Sequence, residues 1–210
     1  MNHIINNKLV SVIRADNLKE AIFKAEACIE GGISLLEITY SFADAGKAIK
    51  ILSSNKDISI GAGTILNINQ AQSALESGAK FLVSPHTNRE LIEFSVRNKI
   101  VSIAGASTSN EIVNAHNLGA NLVKIFPVNL IGGPGYIKAL KEPLPFVEIF
   151  VTGGIDKSNI IDYLNAGVSL IGVSSALFKE IENTQDKLKI CSRVIELLLL
   201  IKSIDNSKVN

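Results

Sequence analysis

Eight short runs rich in β-branched and aliphatic residues recur along the chain, beginning near Val10, Leu35, Ile58, Phe81, Ile100, Leu122, Ile149 and Leu170. Their spacing of roughly 20 to 26 residues is what one strand, one helix and two short loops occupy. The segments between them carry helical signs. Asn17 precedes an i, i+3, i+4 apolar pattern through Leu18, Ala21, Ile22 and Ala25, and Gly31 and Gly32 stop it. Ser109 or Asn110 opens a helix that Gly119 closes, and Lys157 to Ala166 reads as a helix ended by Gly167. Alternating β and α segments imply a parallel sheet. Eight such units, at the lower end of the usual size range, predict a closed (β/α)8 TIM barrel. The alternative is an open doubly wound sheet. Its dinucleotide-binding form needs a GxGxxG turn after the first strand, where Val12-Ile13-Arg14-Ala15-Asp16 stands instead.

The 210 residues are 47% apolar and 20% charged, enough to bury a sizeable core. No linker, charge block or low-complexity stretch divides them, so residues 1–210 read as a single domain, with the polar tail 203–210 expected to fray. Twenty-one basic residues against 20 acidic ones leave a net charge of +1, without the positive field that nucleic acid or an anionic membrane calls for. The segment Met1 to Lys8 lacks the apolar stretch of a signal peptide. The longest apolar run, Leu197 to Ile201, sits between Glu196 and Lys202 and reads as a packed helix. Cys28 and Cys191 have no metal-ligand neighbours and suggest no disulfide framework, which fits a reduced cytoplasm. His3, His86 and His116 show no ligand spacing, so no metal is expected.

Barrel enzymes place their working groups at the C-terminal ends of strands. Lys124 interrupts the sixth run, Leu122-Val123-Lys124-Ile125-Phe126-Pro127, and strand alternation sets Leu122, Lys124 and Phe126 on one face with Val123 and Ile125 on the other. With the apolar pair against the helices, Lys124 points into the barrel, where loss of hydration disfavours the ammonium form. A neutral amine can attack a carbonyl. The same parity directs Leu35, Glu37 and Thr39 of the second run inward. The plainer reading of each residue is structural: a buried ion pair, or a lysine head reaching for the rim. Together, an amine and a carboxyl facing one cavity are what Schiff-base chemistry needs.

Three further runs end in hydroxyl-bearing glycine turns: Gly61-Ala62-Gly63-Thr64, Thr152-Gly153-Gly154-Ile155 and Gly172-Val173-Ser174-Ser175. In barrels the loops after strands seven and eight often hold a phosphate, so an anionic substrate is expected. The plainer reading is that glycine merely allows a tight turn. Arg14 ends the first run at the rim, where a guanidinium can pair with carboxylate or phosphate, or form only a surface salt bridge. His86, after Ser84-Pro85, stands near enough to the rim for a minor contact.

Five blocks in order, Gly31 to Thr39, Gly61 to Leu66, Gly78 to Pro85, Lys124 to Pro127 and Thr152 to Ile155, resemble the 2-keto-3-deoxy-6-phosphogluconate (KDPG) and 4-hydroxy-2-oxoglutarate (KHG) aldolases over about Leu9 to Phe178. The resemblance implies a class I aldolase on a (β/α)8 barrel, a homotrimer, needing no metal or other cofactor. It makes Lys124 the Schiff-base lysine and Glu37 the acid/base carboxylate. Thr64 and Pro85 would line the pyruvyl end with Phe126 beside the lysine, and Thr152, Gly153, Gly154 and Ser175 would face the phosphate. Many members carry an arginine in the stretch that reads Tyr40-Ser41-Phe42 here; others place one at the end of strand one, as Arg14 does. The usual proline after strand five is replaced in Ala104 to Thr108, and Ser174 sits where a glycine is common.

The implied reaction is reversible cleavage of KDPG to pyruvate and glyceraldehyde 3-phosphate, with KHG giving pyruvate and glyoxylate. The galactonate epimer is the near alternative. A phosphate-binding isomerase or epimerase, or a catalytically silent sugar-phosphate-binding protein, are alternatives of other classes.

Overall fold

The computed structural model of the chain describes residues 4 and 6–207. Its eight strands are β1 (Leu9–Ile13), β2 (Leu35–Thr39), β3 (Ser59–Gly63), β4 (Phe81–Val83), β5 (Val101–Gly105), β6 (Leu122–Ile125), β7 (Ile149–Thr152) and β8 (Leu170–Val173). Each starts within one residue of a run marked in the sequence. All pair in parallel with their neighbours, and β8 returns to β1 with Leu9 opposite Ile171, so the barrel is closed and the open doubly wound sheet is excluded.

The helices alternating with them are α1 (Leu18–Glu30), α2 (Ala45–Leu52), α3 (Ile68–Glu76), α4 (Arg89–Arg97), α5 (Ser109–Asn117), α6 (Gly133–Lys141), α7 (Ile160–Asn165), α8 (Ser175–Phe178) and α9 (Lys187–Ser207). Local side-chain chemistry starts several of them. The Asn17, Asn67 and Asn88 side chains accept hydrogen bonds from the Glu20, Gln70 and Leu91 backbone N–H groups, satisfying donors that a helix start leaves open. α5 begins at Ser109 behind a Thr108–Glu111 capping box. α7 is shorter than the pattern over 157–166 suggests. The Asp156 side chain accepts from the Ser158 backbone and hydroxyl, and Asn159 accepts from the Asp156 backbone, which holds these residues in a turn instead. α9 runs on to Ser207, so helix includes the first part of the segment expected to fray; residues 208–210 lie outside the described residues.

Two apolar layers follow from strand alternation. Outward-facing residues such as Leu36, Ile38, Val123 and Ile125 meet the helices in the main core. Inward-facing Val10, Leu35, Phe81, Leu122, Phe150 and Leu170 fill the barrel, joined by Ile4 from the segment before β1. Above this filling, toward the C-terminal ends of the strands, the inward positions turn polar. No helix among the described residues is long and apolar enough to cross a membrane.

Candidate active site

Glu37 lies one inward position above Leu35 on β2, opposite Val12 of β1 and Gly61 of β3. Lys124 stands likewise above Leu122 on β6, opposite Phe150 of β7. These strands face each other across the barrel, and the two side chains meet inside it. Lys124 Nζ is 3.7 Å from Glu37 Oε1. Glu37 is fully buried and Lys124 is 8% exposed, at the base of a cavity of about 430 Å³ that opens at the barrel mouth. The Phe126 and Phe150 rings each lie 5.6 Å from Nζ, one toward the mouth and one from the filling below.

Neither Glu37 oxygen has a hydrogen-bond partner among the described residues. Burial pushes its carboxyl up from the usual range, and the Lys124 and Arg14 charges oppose that only in part. At 3.7 Å the amine and carboxyl are too far apart to share a proton directly. An oxygen placed about 2.8 Å from each, a normal hydrogen-bond length, would bridge them. The geometry therefore suits proton transfer to and from an oxygen on a carbon that the amine attacks.

The cavity wall carries Arg14, Thr64, Pro85, Lys124, Phe126, Thr152, Gly153, Gly154 and Ser175, together with Val12, Ile155, Gly172 and Ser174. Every catalytic or binding residue expected from the sequence is thus either on this wall or, for Glu37, against its lysine. Arg14 is exposed at the rim; Thr152 is buried, its Oγ1 unpartnered among the described residues. Thr64 holds φ of +56°, a strained conformation for a β-branched residue. Gly153 and Gly154 also have positive φ, +98° and +69°. A Cβ on Gly153 would come within 3.0 Å of Pro127, so this turn demands glycine for conformation and space alike. His86 is not among the wall residues; its Nδ1 lies 3.1 Å from Ser84 Oγ, while His3 lies outside the described residues.

Two contributions escape the motif reading. Gly61 and Gly63 are strand residues, not a turn. A Cβ on Gly61 would strike the Phe81 ring at 2.2 Å, and one on Gly63 would lie 1.9 Å from Glu37 Oε1. The space a Gly63 side chain would fill is taken by the Glu37 carboxyl. Likewise a Cβ on Gly105 would meet the Pro85 carbonyl carbon at 2.2 Å, so Gly105 lets the loop after β4 bring Pro85 over the mouth. Phe150 was findable by strand parity, since it shares the inward face with Thr152.

A closed barrel whose interior pairs one lysine with one carboxyl beneath an open mouth has the arrangement that Schiff-base chemistry requires. The family model described as KDPG and KHG aldolase matches residues 1–192. The chain is 34% identical over 158 residues to a 2-dehydro-3-deoxy-phosphogluconate aldolase of Treponema pallidum, covering 75% of each chain. Among solved structures, a KDPG aldolase of Zymomonas mobilis with 3-phosphoglycerate superposes with a TM-score of 0.85 at 27% identity, covering 93% of both chains. A Legionella pneumophila KDPG aldolase, holding pyruvate as a covalent carbinolamine, gives 0.78 at 31% identity, covering 91% of both. The chain belongs to the KDPG and KHG aldolase family, a family of class I aldolases, and is a carbon–carbon lyase.

Proposed function

We propose that this enzyme cleaves KDPG reversibly to pyruvate and glyceraldehyde 3-phosphate, and KHG to pyruvate and glyoxylate, through a Schiff base on Lys124. The observation that carries the reading is the Lys124 amine 3.7 Å from a fully buried carboxyl at the base of an open cavity. The amine adds to the C2 ketone. Glu37 gives its proton to the departing oxygen, which leaves as water and yields the iminium. Removal of the C4 hydroxyl proton, by Glu37 directly or through a water, turns that carbon into an aldehyde as the C3–C4 bond breaks. The bonding pair moves into the iminium, giving an enamine. Protonation of the enamine at C3 and hydrolysis of the imine release pyruvate and restore the amine.

In this reading Arg14 and Thr64 hold the substrate carboxylate, and Pro85 and Phe126 enclose the pyruvyl end. Thr152, Gly153, Gly154 and Ser175 hold the distal phosphate. Positioning of this kind contributes several kcal/mol of barrier reduction. The isomerase and silent-binder readings are not favoured, because the curated relatives are named as aldolases.

Pyruvate release, coupled to its reduction by NADH, tests the assignment on KDPG, its galactonate epimer and KHG. Turnover of KDPG is expected. Release from the galactonate epimer alone, or from none of the three, contradicts it. We also propose a cytoplasmic homotrimer. Two free thiols support the compartment, and the trimer is what the family resemblance implies. A sedimentation-equilibrium mass of one chain contradicts the trimer.

A further inference from the structure

The loop that carries Arg14 is braced from outside the cavity. Lys24, on α1, donates from Nζ to the Arg14 carbonyl oxygen at 2.8 Å and meets Glu20 Oε1 at 2.6 Å. The same Nζ lies 5.1 Å from the centroid of the Phe178 ring on α8. The second carboxylate oxygen of Glu20 accepts from the Asp16 backbone N–H at 2.8 Å. Burial alone would raise the Glu20 carboxyl, but the bonds from the Asp16 N–H and Lys24 outweigh it and hold the group below its ordinary range.

One ammonium thus ties together the peptide on which Arg14 rides, the first turn of α1 and the helix that follows Ser174. Only 14% of the Lys24 side chain is exposed, and it does not line the cavity. A lysine head gives up hydration on such terms only where a carbonyl, a carboxylate and an aromatic face replace the water. β1 and β8 are hydrogen-bonded neighbours, so the two braced segments flank one sector of the mouth, the sector with Arg14, Ser174 and Ser175. The Arg14 guanidinium has no hydrogen-bond or ion-pair partner among the described residues, which leaves backbone anchoring to set where it starts from.

We propose that Lys24 is a positioning residue, fixing the loop after β1 against the helix that follows β8 and thereby setting, through Arg14, affinity for the substrate carboxylate without touching it. This rests on the placement of the substrate carboxylate at Arg14 given above.

A double-mutant cycle over Lys24→Met and Arg14→Ala, read as kcat and KM for KDPG, tests it. Lys24→Met is expected to raise KM about tenfold with kcat within about twofold. In the Arg14→Ala background the same change should move KM less than about twofold, because the brace acts on KM through the placing of the Arg14 guanidinium. Lys24→Arg keeps a cation and its donors and should recover most of the loss. Equal factors in both backgrounds, an unchanged KM, or a fall in kcat alone overturns the proposal. Should Lys24→Met fail to fold by circular dichroism, Phe178→Leu removes the ring face while keeping an apolar side chain against the core; a KM rise of a few fold that vanishes without Arg14 supports the brace, and an additive cycle overturns it. Failure of the functional reading shows separately. Wild type that does not cleave KDPG sinks both, and Arg14→Ala with unaltered KM removes the Arg14 assignment and Lys24 with it. Normal turnover, a clear Arg14→Ala effect and an additive cycle sink Lys24 alone.

Discussion

A carboxyl buried among aliphatic and aromatic groups without a hydrogen-bond partner is costly to ionise, and Glu37 is in that position. Its raised pKa has a definite consequence for stability. Below its unfolded-state value of about 4.5 the proton is on in both folded and unfolded chains. From there upward the folded chain holds the proton more tightly, so this contribution is lost as pH rises and levels off once the native group ionises. Glu37→Gln removes the titration, so its urea midpoint should gain on wild type as pH rises above about 4.5; a gap independent of pH contradicts the burial account. The same variant should still reach the pyruvate adduct on long incubation, with water replacing the Glu37 proton in a slower dehydration, and should cleave substrate roughly 10²- to 10⁴-fold more slowly, the usual worth of a proton-transfer group. Unchanged turnover removes Glu37 from the chemistry. Thr64, at φ +56°, holds a hydroxyl at the cavity at the expense of backbone strain of about 1–3 kcal/mol. Thr64→Gly should therefore raise the melting temperature while raising KM for the keto acid. A lower melting temperature with unchanged KM contradicts that division.

At the scale of single elements, strand parity made the site legible. Leu35-Glu37-Thr39 and Leu122-Lys124-Phe126 placed the acid and amine on one interior from the sequence alone, because side-chain period in a strand is fixed at two. The helix start at Asn17 was legible since a cap is local chemistry, whereas the helix assigned to Ser109 or Asn110 is capped one residue earlier, by Thr108. The glycines of β3 were not, because glycine marks a turn and a close approach with the same letter. Their role depends on Phe81 and Glu37, neighbours on other strands. Gly63→Ala should push the Glu37 carboxyl aside, destabilising by about 1–3 kcal/mol and slowing cleavage at least tenfold while pyruvate condensation survives. A Cβ on Gly135 of α6 would meet nothing within 4 Å, and the backbone there has no positive φ, so Gly135→Ala should stabilise instead, by about 0.5–1 kcal/mol. Urea denaturation of both variants checks the contrast.

For the molecule as a whole, the eightfold period announced the number of units, but closure depends on β8 finding β1, a pairing that no local pattern encodes. α9 lies outside the period altogether. It buries Ile190, Val194, Leu197 and Ile201 across α1 and its neighbours, and Val194 would stand 2.7 Å from a Cβ on Gly31. Burying such side chains is worth about 1.5–3 kcal/mol each, together comparable to the whole stability of about 5–15 kcal/mol of an ordinary domain. A chain ending before Lys187 should therefore lack a cooperative melt, although it retains all eight strands. The central claim is covalent: Lys124 is the amine that condenses with the keto acid. Incubation with pyruvate and borohydride, then digestion and peptide mass analysis, reads it directly. A pyruvate-derived mass on the peptide containing Lys124, lost in Lys124→Met, is the expected result; no adduct, or an adduct on another lysine, contradicts it.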